Sequence, residues 1–151
     1  MKELTADDVC DVSRARAALE AAGVRRWNAA SEVERQVVRD ALDHYIQLAN
    51  EASDLAVVTE AHLSIHRTLV GLSGSRRLAA AADALNAEIR LGLAHLDRTR
   101  RNLDEQVADH RRLLGLLEVG QVDAAVQELE NHLVTAKVTL LAATGHGTIE
   151  P

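Results

Sequence analysis

His62, His66, His110 and His132 are the residues of this chain whose type and spacing can do chemistry. His62 and His66 are four apart, so on a helix they share one face, one turn apart. His62, His110 and His132 each fall on the apolar stripe of a different helical pattern. A buried imidazole must have its nitrogens satisfied. A single such residue reads most simply as a core histidine bonded to backbone or a carboxylate. Four on three helices strain that accounting, and imidazole is a preferred ligand of transition metals. The pattern predicts a divalent transition-metal site inside a helical bundle. The segment HLSIH lacks the Glu that a zinc-peptidase helix carries after its first His, so the spacing does not point to that chemistry. His44 and His95 lie on helix flanks and His146 in the tail.

Arg16 is the second unusual residue. It stands on an apolar stripe between Val12 and Leu19, where an unpaired guanidinium is costly. It must snorkel, pair with an acid, or face a cavity and grip an anionic ligand with its fork. A metal with open positions beside an arginine is suited to a small carboxylate. Arg90, next to the inward Ile89, is a weaker candidate for the same role.

Six helical patterns must position these groups. The first opens at Thr5 with Asp8 as an approximate capping box, carries Val9, Val12, Arg16 and Leu19, and ends near Gly23. The second opens at Ser31 with Glu34 as box partner and runs through Val38, Leu42, Tyr45 and Leu48 to about Glu51. The third, capped by Ser53, reads Leu55, Val58, His62, Ile65, Leu69, Leu72 and stops at Ser73-Gly74-Ser75. The fourth runs from about Arg76 to Asp97 with Leu78, Leu85, Ile89 and Leu93 inward. The fifth opens at Asn102 and reads Leu103, Val107, His110, Leu114, Leu117. The sixth, from about Val122 to Ala143, carries Ala125, Leu129, His132, Ala136 and Leu140. Short loops favour antiparallel neighbours, so the expected fold is an all-α antiparallel bundle of about six helices. It occupies residues 1–144, followed by a flexible tail over 145–151.

Composition supports this. Among 151 residues there is one proline, no phenylalanine, one tyrosine and one tryptophan, a helical vocabulary filled by Leu, Val, Ile and Ala. A net charge of −6 opposes direct nucleic-acid binding, and the arginine clusters read as helix ends and solvated faces. The lone Cys10 excludes an internal disulfide. No apolar run has bilayer length and the N-terminus lacks a signal peptide's apolar region, so a cytoplasmic protein without a membrane anchor is expected.

Several linked motifs occur in the order found in a known family. LTADDV followed by RAALE, HLSIH followed by LVGLSGSRRL, and DHRRLLGLLEVGQVDAAVQELENHL resemble the FCD domain, the ligand-sensing half of FadR-subfamily GntR-type transcription regulators. The resemblance spans about Leu4 to Ala143. It implies a metal held by one Asp and three His in the metal-binding branch, an organic acid as effector and a homodimer. Residue by residue, the three His are His66, His110 and His132, and the Asp position is His62 here. That departure makes a four-imidazole set, which leaves the cation its full double charge. It favours anionic ligands and shifts preference toward zinc, nickel, cobalt or iron over manganese, with zinc or nickel first. Ser75 stands where the family has an Asn that touches ligand. Asp109, replacing Glu beside His110, reads as surface. The family's winged helix-turn-helix is not present ahead of Met1, so the chain reads either as an excised regulator domain or as a stand-alone copy.

The function expected is therefore a metal-dependent, small-carboxylate-binding effector sensor. The alternative is a stand-alone metalloenzyme acting on a small organic acid, with Arg16 orienting substrate and Asp104 or Glu105 as weak candidates for a general base. A third possibility is a dimer-forming domain whose histidines are ordinary core residues.

Overall fold

A computed structural model of the chain describes residues 4–93, 100–143 and 145. The described residues form six α-helices: α1 (Ala6–Val24), α2 (Glu32–Asn50), α3 (Leu55–Gly71), α4 (Arg76–Leu93), α5 (Arg100–Glu118) and α6 (Val122–Ala143), with a short 3-10 turn at Trp27–Ala29. The all-helical bundle expected from the stripes is the fold observed. His95 and His146, and the expected C-terminal end of the fourth helix, lie outside the described residues.

Local chemistry sets the boundaries. Thr5 and Ser31 each close a full capping box, with Asp8 and Glu34 reaching back to the cap backbone. The start of α3 differs by one residue: Asp54, not Ser53, is the cap, its carboxylate accepting from Ala56 N at 2.8 Å. Both residues are good caps. A tight turn precedes them, with Ala52 at φ +53°. The fifth helix starts at Arg100 rather than Asn102.

Packing order departs from chain order. α2 lies against α3, α3 against α4 and α5 against α6, but the chief neighbours of α1 are α6 and α3. α1 and α3 cross closely at Gly23. A Cβ there would stand 1.8 Å from the Leu69 carbonyl oxygen, so only glycine lets the two backbones touch. One core cluster gathers Val24, Trp27, Leu69, Leu117 and Leu129 near this crossing. A second holds Leu42, Tyr45, Val58 and Ile65 between α2 and α3. The four seam histidines lie among the buried residues of α3, α5 and α6.

Candidate metal centre

The structure brings His62, His66, His110 and His132 together. All four are buried, and one ring nitrogen from each lies within 4.8 Å of the others. The Nε2 atom of His66 lies 3.1 Å from that of His62 and 3.1 Å from that of His110. Nitrogens bound to one tetrahedral zinc at about 2.0–2.1 Å are about 3.3–3.4 Å apart, so this spacing is close to that of ligands sharing a cation.

Hydrogen-bond partners assign the protons. His110 Nδ1 lies 2.5 Å from the Gln106 carbonyl oxygen, which can only accept, so the ring proton sits on Nδ1 and Nε2 presents a lone pair. His66 Nδ1 lies 2.7 Å from Glu20 Oε2. The other Glu20 oxygen accepts from Arg16 Nε at 2.8 Å, so Glu20 in its ionised form takes the His66 proton on Nδ1 and turns that Nε2 lone pair inward as well. Two lone pairs facing at hydrogen-bond distance repel unless a cation stands between them. His132 gives a separate sign: both its nitrogens are buried with no hydrogen-bond partner. Leaving such a group unsatisfied costs about 1–3 kcal/mol. The donor set, the orphaned His132 nitrogens and the outer partners of His66 and His110 fit a divalent transition metal.

Electrostatics point the same way. Burial lowers His66 well below its usual range, with positive Arg16 and the neighbouring imidazoles adding to the effect. Burial also lowers His110, and it lowers His132 to about 3, His110 and Arg16 contributing. These three rings are held in the neutral form, as ligation requires. Burial pushes the Glu20 carboxyl up to about 7 against the pull of Arg16. A cation on the far side of His66 would strengthen its N–H as a donor and favour the ionised carboxylate. Tyr45 stacks on His62 with ring centroids 5.4 Å apart and so supports that ring from α2.

Beside the imidazoles lies a cavity of about 110 Å³, lined by Arg16, His62, His132, Glu105, Asp109 and Lys137 among others. Drug-sized ligands occupy pockets of about 300–1,000 Å³, so this one suits a small molecule. Arg16 is buried, and its Nη2 has no hydrogen-bond partner although its Nε is held by Glu20. The two readings of Arg16 thus coexist: one nitrogen pairs with an acid, and another is left over on a side chain that lines the cavity.

Other expected ligand contacts fall elsewhere. Ser75 does not line the cavity; its hydroxyl accepts from Leu78 N at 3.2 Å and caps α4. Arg90 is exposed and forked onto Glu60 across α3 and α4, which commits its charge. Asp109 corrects the reading of a plain surface residue. It lines the cavity, takes Arg112 on one oxygen, and its other oxygen stands 3.8 Å from His132 Nδ1. Glu105 lines the cavity and Asp104 is not among its lining residues. His44 is exposed. The residue the sequence reasoning missed is Glu20, which is 1 % exposed. Its signal was the i, i+4 spacing from a buried arginine.

Comparison with known proteins agrees with the geometry. The family model of the FCD domain matches residues 11–135. A crystal structure from Rhodococcus sp. RHA1, described as a GntR transcriptional regulator, superposes with a TM-score of 0.74 at 27% sequence identity. The match covers 92% of this chain and 66% of that one, so this chain spans just under two thirds of the regulator's length. Among curated proteins none matches. With its motifs in order, its six helices in the same arrangement and most of its length matched, the chain belongs to the FCD domain family of effector-binding regulatory domains found in GntR-type regulators.

Proposed function

We propose that the chain is a metal-dependent sensor of a small organic acid. One observation carries this: four buried imidazoles converge beside a small cavity lined by a buried arginine, one of whose nitrogens has no hydrogen-bond partner. His62, His66, His110 and His132 would hold the cation, zinc or nickel before iron, cobalt or manganese. When bound, the metal supplies an undiminished double charge to attract a carboxylate. Arg16 holds and orients the rest of the anion, and Val12, Leu63, Ile89 and Leu140 give the cavity an apolar side.

Sensing follows if the acid prefers one arrangement of the helices, since a ligand with equal affinity for two arrangements shifts neither. Arg16 on α1, His62 on α3, Asp109 on α5 and His132 on α6 all line the cavity, so its occupancy bears on how four helices sit together. A homodimer in the cytoplasm is the setting this reading implies, with Cys10 left as a free thiol. No helix among the described residues is long and apolar enough to cross a membrane.

The test is metal analysis of protein purified without a His-tag, followed by calorimetric titration of the metal-loaded protein with mono-, di- and tricarboxylates. One equivalent of metal and an acid bound more tightly than about 1 mM are expected. Metal-free protein after exposure to trace zinc and nickel, or no acid bound in that range, overturns the proposal.

A second reading rests on Glu105, which lines the cavity. In a metalloenzyme acting on a small organic acid, that carboxylate would serve as the base. Consumption of the bound acid over hours separates the enzyme from the sensor.

A further inference from the structure

Glu20 is buried on α1, and neither oxygen of its carboxylate faces water. Oε1 accepts from Arg16 Nε at 2.8 Å and Oε2 from His66 Nδ1 at 2.7 Å. Both neighbours are donors. A carboxylate accepts from two donors at once, whereas an amide of the same shape has one accepting oxygen and turns its NH2 toward the second donor. The position therefore demands an acid and is not satisfied by a polar isostere.

Each neighbour is held in a particular orientation by this contact. With its Nε tied to Glu20, Arg16 keeps Nη2 buried and without a partner on a side chain that lines the cavity. With its Nδ1 tied to Glu20, His66 presents Nε2 to His62 and His110. The seat is rigid. One turn further along, Gly23 of α1 meets the backbone of Leu69 of α3, and Leu69 follows His66 by three residues. The Arg16 hold on Glu20 lies within α1, and the His66 hold crosses to α3 at a point where the two helices cannot drift apart without losing their contact.

We propose that Glu20 is a positioning residue for both binding events. Its one carboxylate orients the His66 ring toward the cation and the Arg16 fork toward the organic acid. The inference rests on the reading of the site as a metal-dependent acid sensor. Its consequence is that a single change at Glu20 weakens the binding of two ligands that touch different residues.

The test uses Co²⁺ as a spectroscopic metal and citrate as the acid, with the full chain in wild-type, Glu20→Gln and Glu20→Asp forms. Outer partners of ligating histidines are typically worth 10–100-fold in metal affinity. In Glu20→Gln, Co²⁺ affinity by chelator competition is expected to fall by about 10–100-fold. The visible absorption of the bound cobalt should shift as the His66 ring reorients, a change that a purely structural role for Glu20 would not produce. Citrate affinity of the cobalt-saturated variant should fall about tenfold, the loss expected when one hydrogen bond of about 1.4 kcal/mol is misdirected. Glu20→Asp keeps two acceptor oxygens on a shorter stem and should recover part of both losses. Wild-type affinities for Co²⁺ and citrate in Glu20→Gln, loss of one affinity without the other, or an Asp variant no better than Gln each overturn the proposal. Should Glu20→Gln fail to fold, Glu20→Asp decides alone, with both affinities below wild type expected and wild-type values overturning it. If wild-type protein itself binds no Co²⁺, the sensor reading fails first. If wild type binds both ligands and the variants match it, only the role of Glu20 fails.

Discussion

His66 and His110 point their Nε2 atoms at each other across 3.1 Å, each with its ring proton drawn to the opposite side by an acceptor. The bundle thus holds two electron-rich atoms together with no hydrogen of their own between them. A cation would relieve that repulsion, so metal and fold would stabilise each other.

Chelation should therefore lower the melting temperature. A ligand present at about 1,000 times its Kd adds about 4 kcal/mol, which for a chain of this size amounts to a shift on the order of 10 °C. His110→Ala removes one ligand and one of the facing nitrogens, and should lose most of the chelator sensitivity. Thermal melts with and without EDTA check this; equal responses in wild type and variant would show that no metal is held by these rings.

Arg16→Ala should weaken carboxylate binding by roughly 1.5–3 kcal/mol, the worth of a charge-assisted contact. The effect on metal affinity should be much smaller, since the arginine's hydrogen bond goes to Glu20 and not to an imidazole. Arg16→Lys should restore part of the acid binding, because a point charge replaces the attraction but not the fork. Calorimetry on zinc-loaded protein measures both variants, and unchanged acid affinity in Arg16→Ala would remove Arg16 from the site.

The metal-free protein should lose stability as pH falls below about 6.5. Folded His66, His110 and His132 are all held below that ordinary value by burial, His132 to about 3, so the unfolded chain takes up protons that the folded chain refuses. Their stabilising contribution is present above 6.5 and is lost progressively on acidification. Glu20 acts in the opposite sense. Raised by burial from 4.5 to about 7, it favours the folded state below 4.5 and loses that contribution as pH rises through 7. Three imidazoles outweigh one carboxyl, so the net slope follows the histidines. Urea midpoints of chelated protein between pH 7.5 and 5 test the sign, and a midpoint rising on acidification would contradict it.

How much of this was legible in the chain depends on whether a residue's partner is near in sequence. The capping boxes at Thr5 and Ser31 were readable because both members lie within four residues. The four histidines were readable because helical periodicity already assigns them to seams. Glu20 was legible only by half: its partner Arg16 lies four residues away, but what buries it and brings His66 to its second oxygen is the crossing of α1 and α3. The same limit hid the Arg90–Glu60 pair, which joins residues 30 apart, and the approach of Asp109 on α5 to His132 on α6. Ser75 was assigned to ligand by resemblance, while its hydroxyl is occupied by the first turn of α4.

Gly23→Ala should destabilise the fold by about 3 kcal/mol or more, the upper range for inserting a methyl group into a packed site. The added carbon has no flexible neighbour to displace, only the Leu69 carbonyl and the Val70 Cα of α3. The helix propensity gained from alanine, about 1 kcal/mol, does not offset it. Denaturant midpoints of wild type and variant give the difference, and an alanine variant as stable as wild type would mean that α1 and α3 are not in contact there.

The Gly23–Leu69 contact also has a mechanical meaning. It lies near one end of α1, and Ala6 at the other end is 17 residues from Gly23, or about 25 Å along the axis. A tilt of about 5° around this fulcrum barely alters the spacing of Glu20 and His66 but would carry the far end of the helix through about 2.2 Å, simple leverage on a rigid rod of that length. The fold thus places its least compressible point beside the binding chemistry and its greatest travel at the opposite tip of α1. A tilt of α1 about this contact would be felt chiefly at that tip and little at Glu20.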